Sequence, residues 1–283
     1  MVILQLDFVV GFHKSLIPRS RGTGNIKPGP GLAPASPGAS GLPAFLIAQK
    51  VPLSGAKPGS LTETQAALYR DRSSLLSRLG RDAEALSDLS MARGIPPRDP
   101  QTPAELIDLS AFYNAGLKEH WNDRTDNDND LSELPSGLQM FGGVKFDVRG
   151  IVQLAGLGIN KIEPGYPESV NGIAVDRQCS CLHFLQATGW WMKGGTQVGS
   201  YIVHYSDGQH CEIPIVYGKD VRDWQADQAK DLERASTAWR GRNQRLLQST
   251  WENPRPQIEI TTIDYVSAMT TAAPFLIAIT AED

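Results

Sequence analysis

The chain has 283 residues, 41% of them hydrophobic and 20% charged, the balance of an ordinary globular protein with one large domain or two small ones. A formal charge of −4, a pI near 5.8 and no Lys/Arg stripe argue against nucleic acid as a partner. No apolar run approaches the roughly 20 residues that cross a bilayer, so no membrane span is expected. The apolar start, Met1 to Val10, has no basic leader and carries Asp7, a poor export signal. Cys179, Cys181 and Cys211 are an odd number, which makes no disulfide framework and favours a reducing, cytoplasmic setting.

Residues 1–60 are dominated by Gly, Pro, Ser and small apolar residues. The stretch Lys27 to Pro37 holds neither a helix nor a central strand, because proline removes donors and glycine raises the cost of ordering. A disordered, flexible arm is expected over 1–60, with Ala44 to Ile47 packing locally. So unusual a start also fits the tail of a longer protein.

Residues 61–100 predict a helical hairpin. Ser60 and Glu63 have capping-box spacing. Leu68, Leu75, Leu76 and Leu79 then recur at helical spacing, followed by Leu86 and Leu89 on a second helix. Gly80 breaks the two, and Gly94 with Pro96-Pro97 ends the second.

Residues 101–283 change to period-two patterns and turn signals, which predict a mainly β, antiparallel sandwich. Strands are expected at Phe146 to Leu154, Ser169 to Val175, Cys181 to Thr188, Ile258 to Val266 and Pro274 to Thr280. The Cys181 run is nearly continuous in apolar content, so it is placed centrally. Tyr201 to Tyr205 and Cys211 to Tyr217 form a hairpin around Asp207-Gly208. Pro214 puts the return strand at an edge or a bulge. Asp227 to Ala235 is expected to add a short surface helix.

Two resemblances accompany this reading. Leu79-Gly80-Arg81-Asp82-Ala83-Glu84-Ala85-Leu86, with Leu89, Ala92 and Pro97 after it and Tyr69 and Ser73 before it, resembles one tetratricopeptide repeat of about 34 residues. The stretches Ile107 to Asn114, Leu134 to Asp147, Leu182 to Leu185 with Thr188 to Trp190, and Gly199 to Gly208 form a second set. Together with Asp223-Trp224, Trp251 to Pro254 and Ile263 to Ser267, they resemble the galactose-binding-like β-sandwich, a jelly-roll module. That module is appended to bacterial glycosidases and to tetratricopeptide and serine/threonine kinase proteins. The resemblance implies a non-catalytic recognition module, carbohydrate-binding or protein-binding, at the C-terminal end of a larger bacterial repeat or signalling protein. The alternative is a structural or protein-interaction scaffold without a small ligand.

The candidate ligand-binding residues are Trp190, Trp191, Trp224, Arg222, Asp223 and Asn253. Indole faces stack on sugar rings, and Arg, Asp and Asn exchange paired hydrogen bonds with hydroxyls. Trp239, Trp251, Asp207 and Arg255 are weaker members of the same set. Cys179, Cys181 and His183 share a strand face, with His204, His210 and Cys211 on the next hairpin. The Cys-x-Cys spacing lacks a zinc knuckle, so no metal is assigned. Asn122 to Asp130 resembles a calcium loop but lacks the central Gly and closing Glu of an EF-hand, so it is read as a solvated acidic loop, with a weak calcium site as the alternative. No carboxylate pair, nucleophile elbow or phosphate-binding glycine loop is present, so neither catalysis nor a cofactor is expected.

Overall fold

The computed structural model describes residues 61–122, 129–225 and 232–283. The arm expected at 1–60 and most of the acidic loop at 122–130 lie outside these residues.

Two helices come first, α1 (Glu63–Arg78) and α2 (Asp82–Ala92). The capping box that starts α1 is Thr62 with Gln65, two residues beyond the expected Ser60. Gln65 Oε1 accepts the Thr62 amide at 2.9 Å, and the Gln65 amide donates back to the Thr62 hydroxyl at 3.3 Å. Both helices end as expected on a left-handed glycine, Gly80 at φ 69° and Gly94 at φ 69°. The Arg81 and Ile95 amides close these ends on the Leu76 and Ser90 carbonyls.

Only part of the leucine stripe joins the helices. Ala66, Tyr69, Ser73 and Leu76 of α1 are buried with Ala85 and Asp88 of α2, whereas Leu68 and Leu79 are 49% and 54% exposed. Small side chains let the backbones approach, and Ser73 Oγ donates to the Ala85 carbonyl at 2.7 Å. Arg72 grips Asp88 with two hydrogen bonds beside them.

Twelve strands follow among the described residues: β1 (Ala115–Gly116), β2 (Gly137–Phe141), β3 (Val144–Val148), β4 (Gly150–Gln153), β5 (Ser169–Arg177), β6 (Cys181–Gly189), β7 (Gln197–Tyr205), β8 (His210–Val216), β9 (Ala235–Arg240), β10 (Arg245–Glu252), β11 (Ile260–Ser267) and β12 (Ala273–Glu282). A six-stranded sheet runs β1-β4-β12-β6-β10-β9, a four-stranded sheet runs β5-β11-β7-β8, and β2 pairs with β3. Every pairing of these strands is antiparallel. The architecture is an antiparallel β-sandwich.

The central strands of the six-stranded sheet are buried on both faces, which explains the nearly continuous apolar runs of β6 and β12. Leu182, Phe184, Leu276 and Ile279 face the four-stranded sheet. Leu185, Phe275 and Ile277 face a second core built with Trp121, Leu131, Phe146, Leu246 and Trp224. Between the sheets, Phe184 stacks on Tyr201 at 4.1 Å and Tyr201 on Tyr265 at 4.8 Å.

The β7–β8 hairpin forms as expected, and β8 with Pro214 is an edge strand. Its turn holds three residues, Ser206 to Gly208, with only Gly208 left-handed at φ 82°. Other expectations are corrected. Phe146 to Leu154 is two strands, broken at Arg149. There the chain turns the Arg149 guanidinium onto Asp147 at 2.9 Å and Asp108 at 2.7 Å. The surface helix expected at 227–235 does not reach its described end: 232–234 are irregular and Ala235 opens β9.

Hairpin and sandwich are tied by charge and by close backbone approach. Arg98, just after α2, pairs with Asp147 at 2.9 Å and donates to the Leu106 carbonyl. At Gly116 a Cβ would stand 2.1 Å from the Arg93 carbonyl oxygen, so only glycine lets β1 lie against the end of α2.

Candidate functional site

The nominated residues divide between the two ends of the sandwich. Thr188, near the end of β6, is bridged to Asp223, and its amide donates to the Arg222 carbonyl. Trp190 and Trp191 leave the same strand end. Trp190, Trp191, Arg222 and Asp223 therefore share one end. Asn253 follows β10, whose Glu252 pairs with Cys181 at the start of β6, roughly 23 Å away at the rise of a strand.

Trp190 adopts φ 62°, and its indole lies on Gly158, where a Cβ would meet the ring at 2.5 Å. Trp191 is 71% exposed. Arg222 and Asp223 are partly buried. Burial pushes the Asp223 carboxyl above its usual range, against the Gln225 amide and Arg245. Trp224 is corrected to a core residue. It is 1% exposed, packs on Trp121 at 5.0 Å and Phe275 at 5.8 Å, and has no free face for a ring. Asn253 is likewise structural. Its side chain accepts the Tyr205 hydroxyl at 2.7 Å and donates to the Cys179 carbonyl at 2.9 Å. Asp207 and Arg255 pair beside it, with Arg255 4.7 Å over the Tyr205 ring. Trp239 packs over Gly241 and the second core.

The cysteine and histidine set does not converge. His183 sits in the six-stranded sheet between Thr250 and Glu282, and His204 sits in the other sheet against Asp264. Cys179 is buried, and burial pushes its thiol up to about 11.

Apart from these residues, a cleft of about 250 Å³ opens on the side of the sandwich, where edge strand β8 faces β10. Phe184, Tyr201, Trp251 and Pro214 line it, and Asp220, Arg234 and Ser249 carry its polar chemistry. The Tyr201 hydroxyl donates to Gln186 Oε1 at 2.7 Å, and Gln186 Nε2 donates to Ser249 Oγ at 2.7 Å. Asp220 Oδ2 accepts from Arg234 at 2.5 Å and from the Val216 amide at 2.7 Å. Burial nonetheless holds the Asp220 carboxyl above its usual range. Each group keeps bonding capacity beyond these contacts: the second oxygen of Asp220, the Ser249 hydrogen and further N–H groups of Arg234.

Of this cleft only Trp251 is a ligand-binding candidate from the sequence. Asp220 and Arg234 sit in connections without a pattern, and Gln186 and Ser249 sit inside strands. One signal was available: a glutamine, Gln186, in the nearly continuous apolar run of β6 implies a buried hydrogen-bond partner.

No family model matches the sequence, and no curated protein and no solved structure is significantly similar to it.

Proposed function

We propose that this chain is a non-catalytic recognition module that holds one small polyhydroxylated ligand, of the size of a single sugar ring, in the side cleft between β8 and β10. What supports it is one combination: an indole, Trp251, lining the same cleft as two hydrogen-bonded groups, Tyr201–Gln186–Ser249 and Arg234–Asp220. Sugar recognition needs an apolar ring face and planar side chains that both donate and accept. The volume, about 250 Å³, lies just under the roughly 300–1,000 Å³ of drug-sized sites and suits one ring. The sandwich preceded by a hairpin is the layout of the galactose-binding-like and tetratricopeptide modules that the sequence resembles, and we carry that family reading here.

Calorimetric titration of the full chain with a panel of neutral monosaccharides tests the proposal. Saturable binding of at least one sugar is expected, lost in Trp251→Ala and Asp220→Asn and retained in Trp191→Ala. No saturable binding across the panel removes the sugar reading. Loss in Trp191→Ala alone moves the site to the Trp190–Trp191 end.

A second reading, a protein-interaction scaffold, rests on the exposed Leu68 and Leu79 of α1 and its turn. Leu68→Glu with Leu79→Glu abolishes partner capture under that reading and leaves sugar binding unchanged. No helix among the described residues is long and apolar enough to cross a membrane.

A further inference from the structure

A larger cleft, of about 710 Å³, lies where the hairpin meets the loops of the sandwich. Its charged lining is Glu63, Glu119 and Glu163 against Arg70, Arg93 and Lys118, with His120 and Tyr166 between them. The two signs are not equivalent. Glu63 is paired with Arg70, Glu119 accepts the Gly116 amide at 2.7 Å, and Glu163 also has a partner. Arg93 and Lys118 have no ion pair among the described residues, and His120 Nδ1 is buried without a hydrogen bond. The Tyr166 hydroxyl is committed to the Trp121 carbonyl at 3.0 Å.

The unspent chemistry of this cleft is therefore cationic and donating, in a chain whose formal charge is −4. Arg93 gains something from its place at the end of α2, where the helix dipole favours a cation, but that leaves its guanidinium donors unused. We infer that the cleft is a binding site for a small oxyanion, with Arg93 gripping it through paired N–H groups, Lys118 adding a point charge and His120 a further hydrogen bond. A phosphate and a carboxylate share this chemistry, and the test separates them.

The full chain is titrated calorimetrically at low ionic strength with inorganic phosphate and, in a second arm, with succinate. Saturable binding in at least one arm is expected, and the tighter arm identifies the group. Arg93→Gln and Lys118→Gln each weaken it about tenfold, the usual order for losing one charged hydrogen bond. Lys118 is exposed, so its variant tests the site without threatening the fold. Lys219→Gln, which removes a cation already paired with Glu233, leaves binding unchanged. No saturable binding in either arm, or equal binding by wild type and Lys118→Gln, overturns the inference.

Discussion

The Tyr201 hydroxyl donates a 2.7 Å hydrogen bond to Gln186 Oε1, and through it the inner strand β7 of one sheet is bonded to β6 of the other. Both side chains are buried. The phenol is also the middle ring of the Phe184–Tyr201–Tyr265 stack. Tyr201→Phe keeps the stack and strands the Gln186 oxygen, at a cost of about 1–3 kcal/mol. Urea denaturation measures this loss, and an unchanged midpoint contradicts the role given to the bond.

The break at Arg149 makes a second prediction. Asp147 lies between Arg98 and Arg149, and its side chain is 6% exposed. Asp147→Asn leaves two guanidinium groups facing a neutral amide and costs about 3–5 kcal/mol. Asp108, 52% exposed on the same Arg149, costs less than about 1 kcal/mol when changed to Asn. Equal losses in paired denaturation curves contradict the network as described.

The tryptophans separate by burial. Trp224→Ala opens a hole between Trp121 and Phe275 and costs about 3–5 kcal/mol. Trp191→Ala removes an indole that is 71% exposed and stays within about 0.5 kcal/mol of wild type. Thermal and chemical unfolding of the two variants check the contrast.

Alkaline pH acts on the same core. Burial raises the Cys179 thiol from 9.0 to about 11, and burial raises the Tyr201 and Tyr265 phenols well above 10.0. In each case the folded group holds a proton that the unfolded chain releases first. The stability contribution of Cys179 is thus complete below pH 9.0 and is lost as pH rises through about 11. Denaturation curves across that window are expected to show falling stability, less steeply in Cys179→Ala. A flat profile contradicts the burial assigned to these groups.

Much of the fold was legible because its signals are local. Gly80 and Gly94 end helices, Asp207-Gly208 turns a hairpin, and a nearly continuous apolar run makes β6 a central strand, as it is in the six-stranded sheet. Strand β10 was missed. Its Leu246 and Leu247 are both buried because the sheet is covered on both faces, so no alternation marks it. The hairpin at β2 and β3 was missed too, although Gly142 and Gly143 hold positive φ of 54° and 84°, the pair that such a turn requires. The apolar spacing of Leu68 and Leu79 misled, since Leu76, small residues and a partly buried ion pair close the helices. The side cleft was the least legible feature. Its groups come from β6, β7, β8, β10 and two irregular connections, and only the pairing of two sheets brings them together.

The most direct measurement of the central claim is an NMR titration that follows the indole N–H signals of all six tryptophans with a bound sugar. Ligand in the side cleft shifts Trp251 and leaves the buried Trp224 and the exposed Trp191 in place. A shift confined to Trp190 and Trp191, or no shift at saturating sugar, contradicts it.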